Sequence, residues 1–254
     1  MKIYYELHGD RHRPKLILIN GLFHSCEAWE TFLPLLTEFF YVLTYDSRGQ
    51  GQSEKPHSTY LLDDHVSDLE KLTQKVNFDS FFLVGISNGA RIALSYAQKF
   101  CTQVRAVVAA DTYDQLDESL KLKLHSWLKA QQIGGPFHRY DVTTPWIWGQ
   151  TTINTQPNLV ENFRNKANSL PNHAIEGLIQ GALLGEVDVK NISCPCLILV
   201  GEEDILTPIN IHTKLAEKLP HADLKIIPGG HASFFEKPEN IKDFVVPYLM
   251  RSLS

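Results

Sequence analysis

Three residues could together carry out nucleophilic acyl transfer: Ser87, Asp204 and His231. Ser87 lies in Gly85-Ile86-Ser87-Asn88-Gly89, a Gly-x-Ser-x-Gly pentapeptide. A serine hydroxyl is a weak nucleophile until a base takes its proton. The base works best when a carboxylate fixes its tautomer and orientation. Asp204 lies in Gly201-Glu202-Glu203-Asp204-Ile205-Leu206-Thr207-Pro208, where Glu202 and Glu203 are rivals for the acid. His231 follows Pro228-Gly229-Gly230. Stabilising a tetrahedral oxyanion needs two backbone N–H groups aimed at the developing charge. Asn88, just after the serine, is one candidate. The other lies in Asn20-Gly21-Leu22-Phe23-His24-Ser25, with Leu22 preferred and Phe23 the rival. This chemistry needs neither metal nor organic cofactor.

The elements around these residues must bring them together. Residues 81–86 are an apolar run rich in strand formers, and Ala90, Ile92, Ala93 and Ala97 continue with a helical period. Strand, tight turn and helix are the setting a nucleophile elbow requires. Gly85 and Gly89 remove side chains that so sharp a turn could not hold. Residues 16–19 and 196–201 are continuous apolar runs, the mark of strands covered on both faces. Ile3, Tyr5 and Leu7 alternate like an edge strand, residues 41–45 read as another strand, and 107–110 as one ending at Asp111. Asp204 and His231 each fall just past a strand end, and in open parallel sheets reactive groups gather there. His24 is placed to edge the pocket, whereas His212 and His221 read as solvated.

The alternation stops between residues 112 and 190. Helical periods dominate there: Leu116, Leu120, Leu124 and Trp127; then Val160, Phe163 and Ala167; then Ile175, Leu178, Ile179 and Ala182 behind Asn172 as cap. Residues 134–140 and 145–149, rich in Gly, Pro and aromatics, read as connections. The expected organisation is an α/β core of residues 1–111 and 191–254, with a mostly parallel sheet and helices on both faces. Residues 112–190 form a helical lid inserted into it. Phe23, Trp146, Trp148 and Leu206 are the expected pocket walls, with Phe137 either lid core or wall. Arg139 and Arg164 could bind a substrate carboxylate or stay solvated. Asp46 and Arg48 read as a structural pair or loop brace.

At 254 residues, 43% hydrophobic and 21% charged, the chain can bury a large core as one domain. A net charge of −5 without a basic block argues against nucleic acid and anionic membranes as partners. The start, Met1-Lys2-Ile3-Tyr4-Tyr5-Glu6, has no apolar signal core, and no run approaches spanning length, so a cytoplasmic protein is expected. Cys26, Cys101, Cys194 and Cys196 show no metal spacing and read as reduced packing residues.

The motifs, taken in order, resemble the α/β-hydrolase fold over nearly the whole chain. The Asn20-Gly21 loop is similar to that family's His-Gly oxyanion loop, and Asp46-Ser47-Arg48-Gly49-Gln50-Gly51-Gln52-Ser53 to its Asp-x-Arg-Gly-His-Gly-x-Ser loop. The Ser87 elbow, Asp204 and Gly230-His231 complete the pattern. The nearest resemblance is to the 3-oxoadipate enol-lactonase and pimeloyl carrier-protein methyl ester esterase group of small carboxylester hydrolases. Asn20 and Gln50 each replace a usual histidine at a supporting position. Asn88 stands where Met or Leu is frequent, implying a more polar pocket floor. The resemblance implies a serine hydrolase of a small carboxylic ester, lactone or thioester. Its partner is that small molecule, and a homodimer is left open. The alternatives are a ligand receptor with slow or no turnover, and carbon–carbon bond hydrolysis or perhydrolysis from the same triad.

Overall fold

A computed structural model describes residues 1–253. Among them seven strands form one sheet: β1 (Tyr5–His8), β2 (Lys15–Ile19), β3 (Tyr41–Tyr45), β4 (Phe81–Ile86), β5 (Val104–Ala110), β6 (Cys196–Gly201) and β7 (Ala222–Ile227). Their order is β1-β3-β2-β4-β5-β6-β7. Only β1, antiparallel to β3, departs from the parallel direction. All six residues of β4 and of β6 are buried, as their unbroken apolar runs require.

The two faces of the sheet build two cores, and neighbouring residues of a strand go to opposite ones. Ile17, Leu43, Leu83, Val107 and Ile198 pack on one face against α2 (Leu62–Lys75), α3 (Asn88–Lys99) and α8 (Ile209–Lys218). Leu18, Val42, Val84, Val108 and Leu199 pack on the other. That face meets the short helices around Trp29, Phe32 and Leu36, among them α1 (Leu33–Thr37), together with α9 (Ser233–Glu236) and α10 (Val246–Arg251), which follows a π-helical turn. Each such side chain contributes roughly 1.5–3 kcal/mol when fully buried. A polar residue at Leu83 or Val84 would therefore disrupt one core and leave the other packed.

Between β5 and β6 the chain is helical: α4 (Glu118–Ile147), α5 (Gln150–Thr155), α6 (Pro157–Asn165) and α7 (Asn172–Ala182). These helices carry a third apolar cluster, including Leu120, Leu124, Trp127, Ile175 and Leu178. Residues 134–140 and 145–149, expected as connections, are helical up to Ile147. Gly135 alone breaks α4, with φ 72° and ψ −166°. Pro136 then sits in the first turn of the second half, where its missing N–H has no partner to lose, and Pro145 sits in the last turn. Arg91, fully buried in α3, fastens this insertion to the core. Its guanidinium donates to the carbonyls of Ala182, Leu184 and Gly185 past the end of α7, and to the Tyr113 hydroxyl. No helix among the described residues is long and apolar enough to cross a membrane.

Candidate active site

Ser87 takes φ 55° and ψ −122°, between the last residue of β4 and the first of α3. A Cβ on Gly85 would lie 2.5 Å from the Gly89 carbonyl oxygen. One on Gly89 would lie 2.3 Å from the Ile19 carbonyl oxygen at the end of β2. The first glycine thus closes the turn on itself, and the second lets it press against the neighbouring strand. Four described non-glycine residues have positive φ: Phe23, Asn77, Ser87 and Asp111. Three of them surround the site, where such strain tends to concentrate.

Ser87 Oγ lies 2.9 Å from His231 Nε2, and His231 Nδ1 lies 2.9 Å from Asp204 Oδ2. Asp204 and His231 are 4% and 5% exposed. The remaining capacity of Asp204 is taken up locally. Oδ1 accepts from the N–H groups of Leu206 and Thr207 at 2.9 and 2.8 Å, and Oδ2 from the Thr207 hydroxyl at 2.8 Å. Burial opposes the Asp204 charge, but His231 and the Thr207 N–H outweigh it and hold the carboxyl below its ordinary range. Burial likewise opposes an imidazolium at His231. The charge and hydrogen bond of Asp204, with Asp111 and Glu236 behind, hold the imidazole above its ordinary value.

The loop carrying His231 is tied at several points. Asp111, at the end of β5, accepts from Gly201 N–H at 2.9 Å and from the Ser233 hydroxyl at 2.5 Å. Burial and nearby Asp204 push its carboxyl up to about 8. Glu236, 3% exposed, accepts from Gly230 N–H at 2.9 Å and from Gly149 N–H at 3.1 Å, which links the loop to the end of α4. Asp111, Ser233, Glu236 and Thr207 were not legible as site residues, because each acts through a neighbour rather than through a motif.

Leu22 N–H donates to no protein acceptor among the described residues, and Asn88, the first residue of α3, has no preceding turn to donate to. Gly21 brings their loops together: a Cβ there would lie 3.4 Å from Ser87 Cβ. Asn88 does not make the pocket floor polar. Its side-chain oxygen turns away to accept from Arg91 at 3.2 Å. Gln50 accepts from His24 N–H at 3.1 Å, and Asp46 from the N–H groups of Cys26 and Gln52. Both hold the loops that flank Ser87. Asp46 and Arg48 do not form a pair, since Arg48 reaches Asp68 and Asp64 on α2.

A cavity of about 1000 Å³ opens over Ser87 and His231. Phe23, Trp148 and Phe137 line it, together with Trp127, Tyr140 and Phe163, which pattern alone did not single out as walls. Trp146 and Leu206, expected as walls, do not line it. Both pack in the cluster behind, with Lys123 over the Trp146 ring at 5.2 Å. Two positions apart at a helix end, the two indoles cannot share a face. Trp148 points inward, donating to the Tyr140 hydroxyl at 3.1 Å.

The rival acids are elsewhere. Glu203 accepts from the Thr151 N–H and hydroxyl at the start of α5, and Glu202 is exposed. Of the histidines expected in solvent, His221 is exposed. His212 is fully buried, accepting from Thr112 N–H at 2.7 Å, and burial pulls it down to about 4. His24 stacks on Phe235 at the cavity wall. Arg164 pairs with Asp141 at the surface, whereas Arg139 is buried. Cys26, Cys194 and Cys196 are buried and free, but Cys101 is exposed.

A nucleophile on a strained strand-to-helix turn, with its acid and base past the ends of later parallel strands, defines the α/β-hydrolase arrangement. The alpha/beta hydrolase fold family matches residues 14–238, and the chain belongs to it. By class it is a hydrolase. Over 252 residues it is 25% identical to 3-oxoadipate enol-lactonase 2 of Acinetobacter baylyi, spanning 97% of this chain and 92% of that protein. Over 262 residues it is 26% identical to RutD of Caulobacter segnis, provisionally named a carbamate hydrolase, with 97% and 96% covered. Among solved structures it is similar to MGS-M2, an alpha/beta hydrolase enzyme from a Medee basin deep-sea metagenome library. The TM-score is 0.92 at 29% identity, with 98% and 94% covered.

Proposed function

We propose that the chain is a serine hydrolase cleaving a small carboxylic ester, lactone or thioester through an acyl-enzyme. The observation that carries this reading is the unbroken hydrogen-bond chain from Ser87 Oγ through His231 to Asp204, at the floor of the cavity. His231 Nε2 takes the serine proton as Oγ attacks the carbonyl carbon. The N–H groups of Leu22 and Asn88 receive the negative oxygen. Collapse expels the alcohol or thiol, which leaves with the proton held by His231. Water then enters, gives its proton to His231, and releases the acid from Ser87. Asp204 stays ionised throughout, stabilising the imidazolium.

Residues 112–190 act as the lid over this chemistry, with Trp148, Tyr140 and Phe163 presenting an apolar wall to the acyl group. The names of the two relatives, a lactonase and a carbamate hydrolase, fit one mechanism, attack of a serine on a carbonyl carbon that carries a heteroatom leaving group.

The test is labelling with a serine-directed fluorophosphonate, together with multiple turnovers on short p-nitrophenyl esters. Ser87 should be labelled, Ser87→Ala should abolish labelling and turnover, and both proteins should melt alike. A single stoichiometric burst would favour a receptor. Labelling that survives the substitution would refute the nucleophile.

A further inference from the structure

Arg139 lines the same cavity as Ser87 and is 3% exposed. It lies on the second half of α4, just past the break at Gly135. Its Nε donates across that break to Gln131 Oε1 at 3.2 Å. Gln131, 2% exposed, is oriented in turn, because its amide group donates to Asn172 Oδ1 on α7 at 3.0 Å. The guanidinium carbon sits 4.0 Å from the centre of the Phe23 ring, on the loop that offers Leu22 N–H to the oxyanion. One edge and one face of the guanidinium are thereby fixed. Its two terminal nitrogens have no protein acceptor among the described residues.

The other arginines of the lid and its anchor are placed differently. Arg91 gives its terminal nitrogens to carbonyls, and Arg164 forms a fork with Asp141. No carboxylate comes to Arg139. Of the four carboxylates lining the cavity, Asp46 is held by two backbone N–H groups, Glu27 faces Lys166, Glu6 accepts from the Tyr4 hydroxyl, and Glu30 is exposed. Burial pulls Arg139 down to about 10, which leaves it charged at neutral pH. A buried cation without an anion is costly, and a planar fork aimed into a cavity matches a carboxylate.

We infer that Arg139 receives a carboxylate carried by the substrate, so that the ester or lactone cleaved at Ser87 bears a free acid on its far arm. The inference rests on the serine-hydrolase reading. The substrate class is the monoester of a dicarboxylic acid, or a lactone with a carboxylate side arm. Hydrolysis adds one water and releases a dicarboxylic acid with an alcohol, or a hydroxy or oxo diacid.

The test compares p-nitrophenyl hydrogen glutarate with uncharged p-nitrophenyl pentanoate in wild type, Arg139→Met and Arg139→Lys. Wild type should prefer the half-ester by about tenfold or more in kcat/KM. Methionine keeps the apolar stem and removes the fork. It should lower kcat/KM for the half-ester on the order of a hundredfold and leave the neutral ester within about threefold. Lysine, with charge but no fork, should fall between them, and it carries the test should the methionine variant not fold. Free glutarate should slow fluorophosphonate labelling of Ser87 in wild type and not in Arg139→Met. If Ser87 is labelled and the neutral ester turns over, but wild type shows no preference for the half-ester or both substrates fall together, the carboxylate inference alone is overturned. If Ser87 is not labelled and neither ester is cleaved, the serine-hydrolase reading falls and takes this inference with it.

Discussion

Asp204→Asn separates the roles proposed for the triad, because the structure dictates how the new amide must sit. Asp204 Oδ1 lies between two donors, the N–H groups of Leu206 and Thr207, at 2.9 and 2.8 Å. An amide NH₂ placed there would face both donors, each unmade bond costing about 1–3 kcal/mol in a buried site. The asparagine oxygen must therefore keep the Oδ1 position, and its NH₂ takes that of Oδ2, 2.9 Å from His231 Nδ1. His231 Nδ1 then has to accept. Its proton moves to Nε2, which points at Ser87 Oγ and can no longer take the serine proton. In serine proteases the equivalent change lowers kcat by about 10⁴, roughly 5–6 kcal/mol of barrier. A loss of that order is expected in kcat on p-nitrophenyl butyrate, with a parallel slowing of fluorophosphonate labelling. Glu203→Gln is the control: Glu203 bonds Thr151, so turnover should hold. A loss under about tenfold at Asp204, or a larger one at Glu203, would refute the tautomer argument.

Further outcomes follow from the same geometry. His231 is held above 6.5, so the acid limb of kcat/KM should have its midpoint above pH 6.5; a midpoint below that value would contradict the His231–Asp204 pair. Burial pulls His65 and His212 down to about 3 and 4, so the folded state binds fewer protons than the unfolded one below pH 6.5. Each should cost on the order of 2 kcal/mol at pH 5. His231 and Asp111, the latter protonated in the folded state below about 8, work oppositely and add stability as pH falls, so the loss between pH 7 and pH 5 in urea melts should be about 2 kcal/mol smaller in His65→Gln or His212→Gln than in wild type. Trp148→Ala should shift the acyl-length preference of kcat/KM by about tenfold from acetate to octanoate esters. Trp146→Ala should lower the melting temperature and leave that preference alone. Asp111→Asn should keep activity within about tenfold of wild type, because a protonated carboxyl and an amide can make the same two bonds here.

That Ser87, Asp204 and His231 come together was legible because they sit in backbone settings that the sequence spells out. The strand of residues 81–86, Gly85 and Gly89 announce a turn only a few residue types can make, and Ser87 occupies it. Asp204 and His231 follow strands whose apolar runs are unmistakable. The helical insertion between β5 and β6 was less legible, for a reason visible in α4. Gly134-Gly135-Pro136 and Pro145 are local signals for a stop, yet the apolar cluster around Trp127 and Ile175 holds both halves helical and leaves one break. Tertiary packing overrode propensity. The same override buried His212 and turned Trp146 away from the cavity. Arg139 was named as a carboxylate candidate, but only the partners of Arg164 and the burial of Arg139 separate the two.

Glu202 and Glu203 were the rivals the sequence offered to Asp204; the structure adds a third carboxyl, Asp111, and donors decide which of that buried pair keeps the charge. Asp111 and Asp204 end adjacent strands and lie close enough for each to act on His231. Two carboxylates this buried cannot both ionise cheaply beside one imidazole. Donors decide which keeps the charge. Asp204 collects two backbone N–H groups, a threonine hydroxyl and His231. Asp111 has one N–H and a serine hydroxyl that can equally accept. The ionised form is therefore better solvated by the protein at Asp204, and Asp111 is pushed toward its neutral form. Asp111 then pins Gly201, at the root of the acid loop, and Ser233, two residues past the base. A carboxyl that does not compete for the proton of His231 can thus hold both loops in register with Ser87.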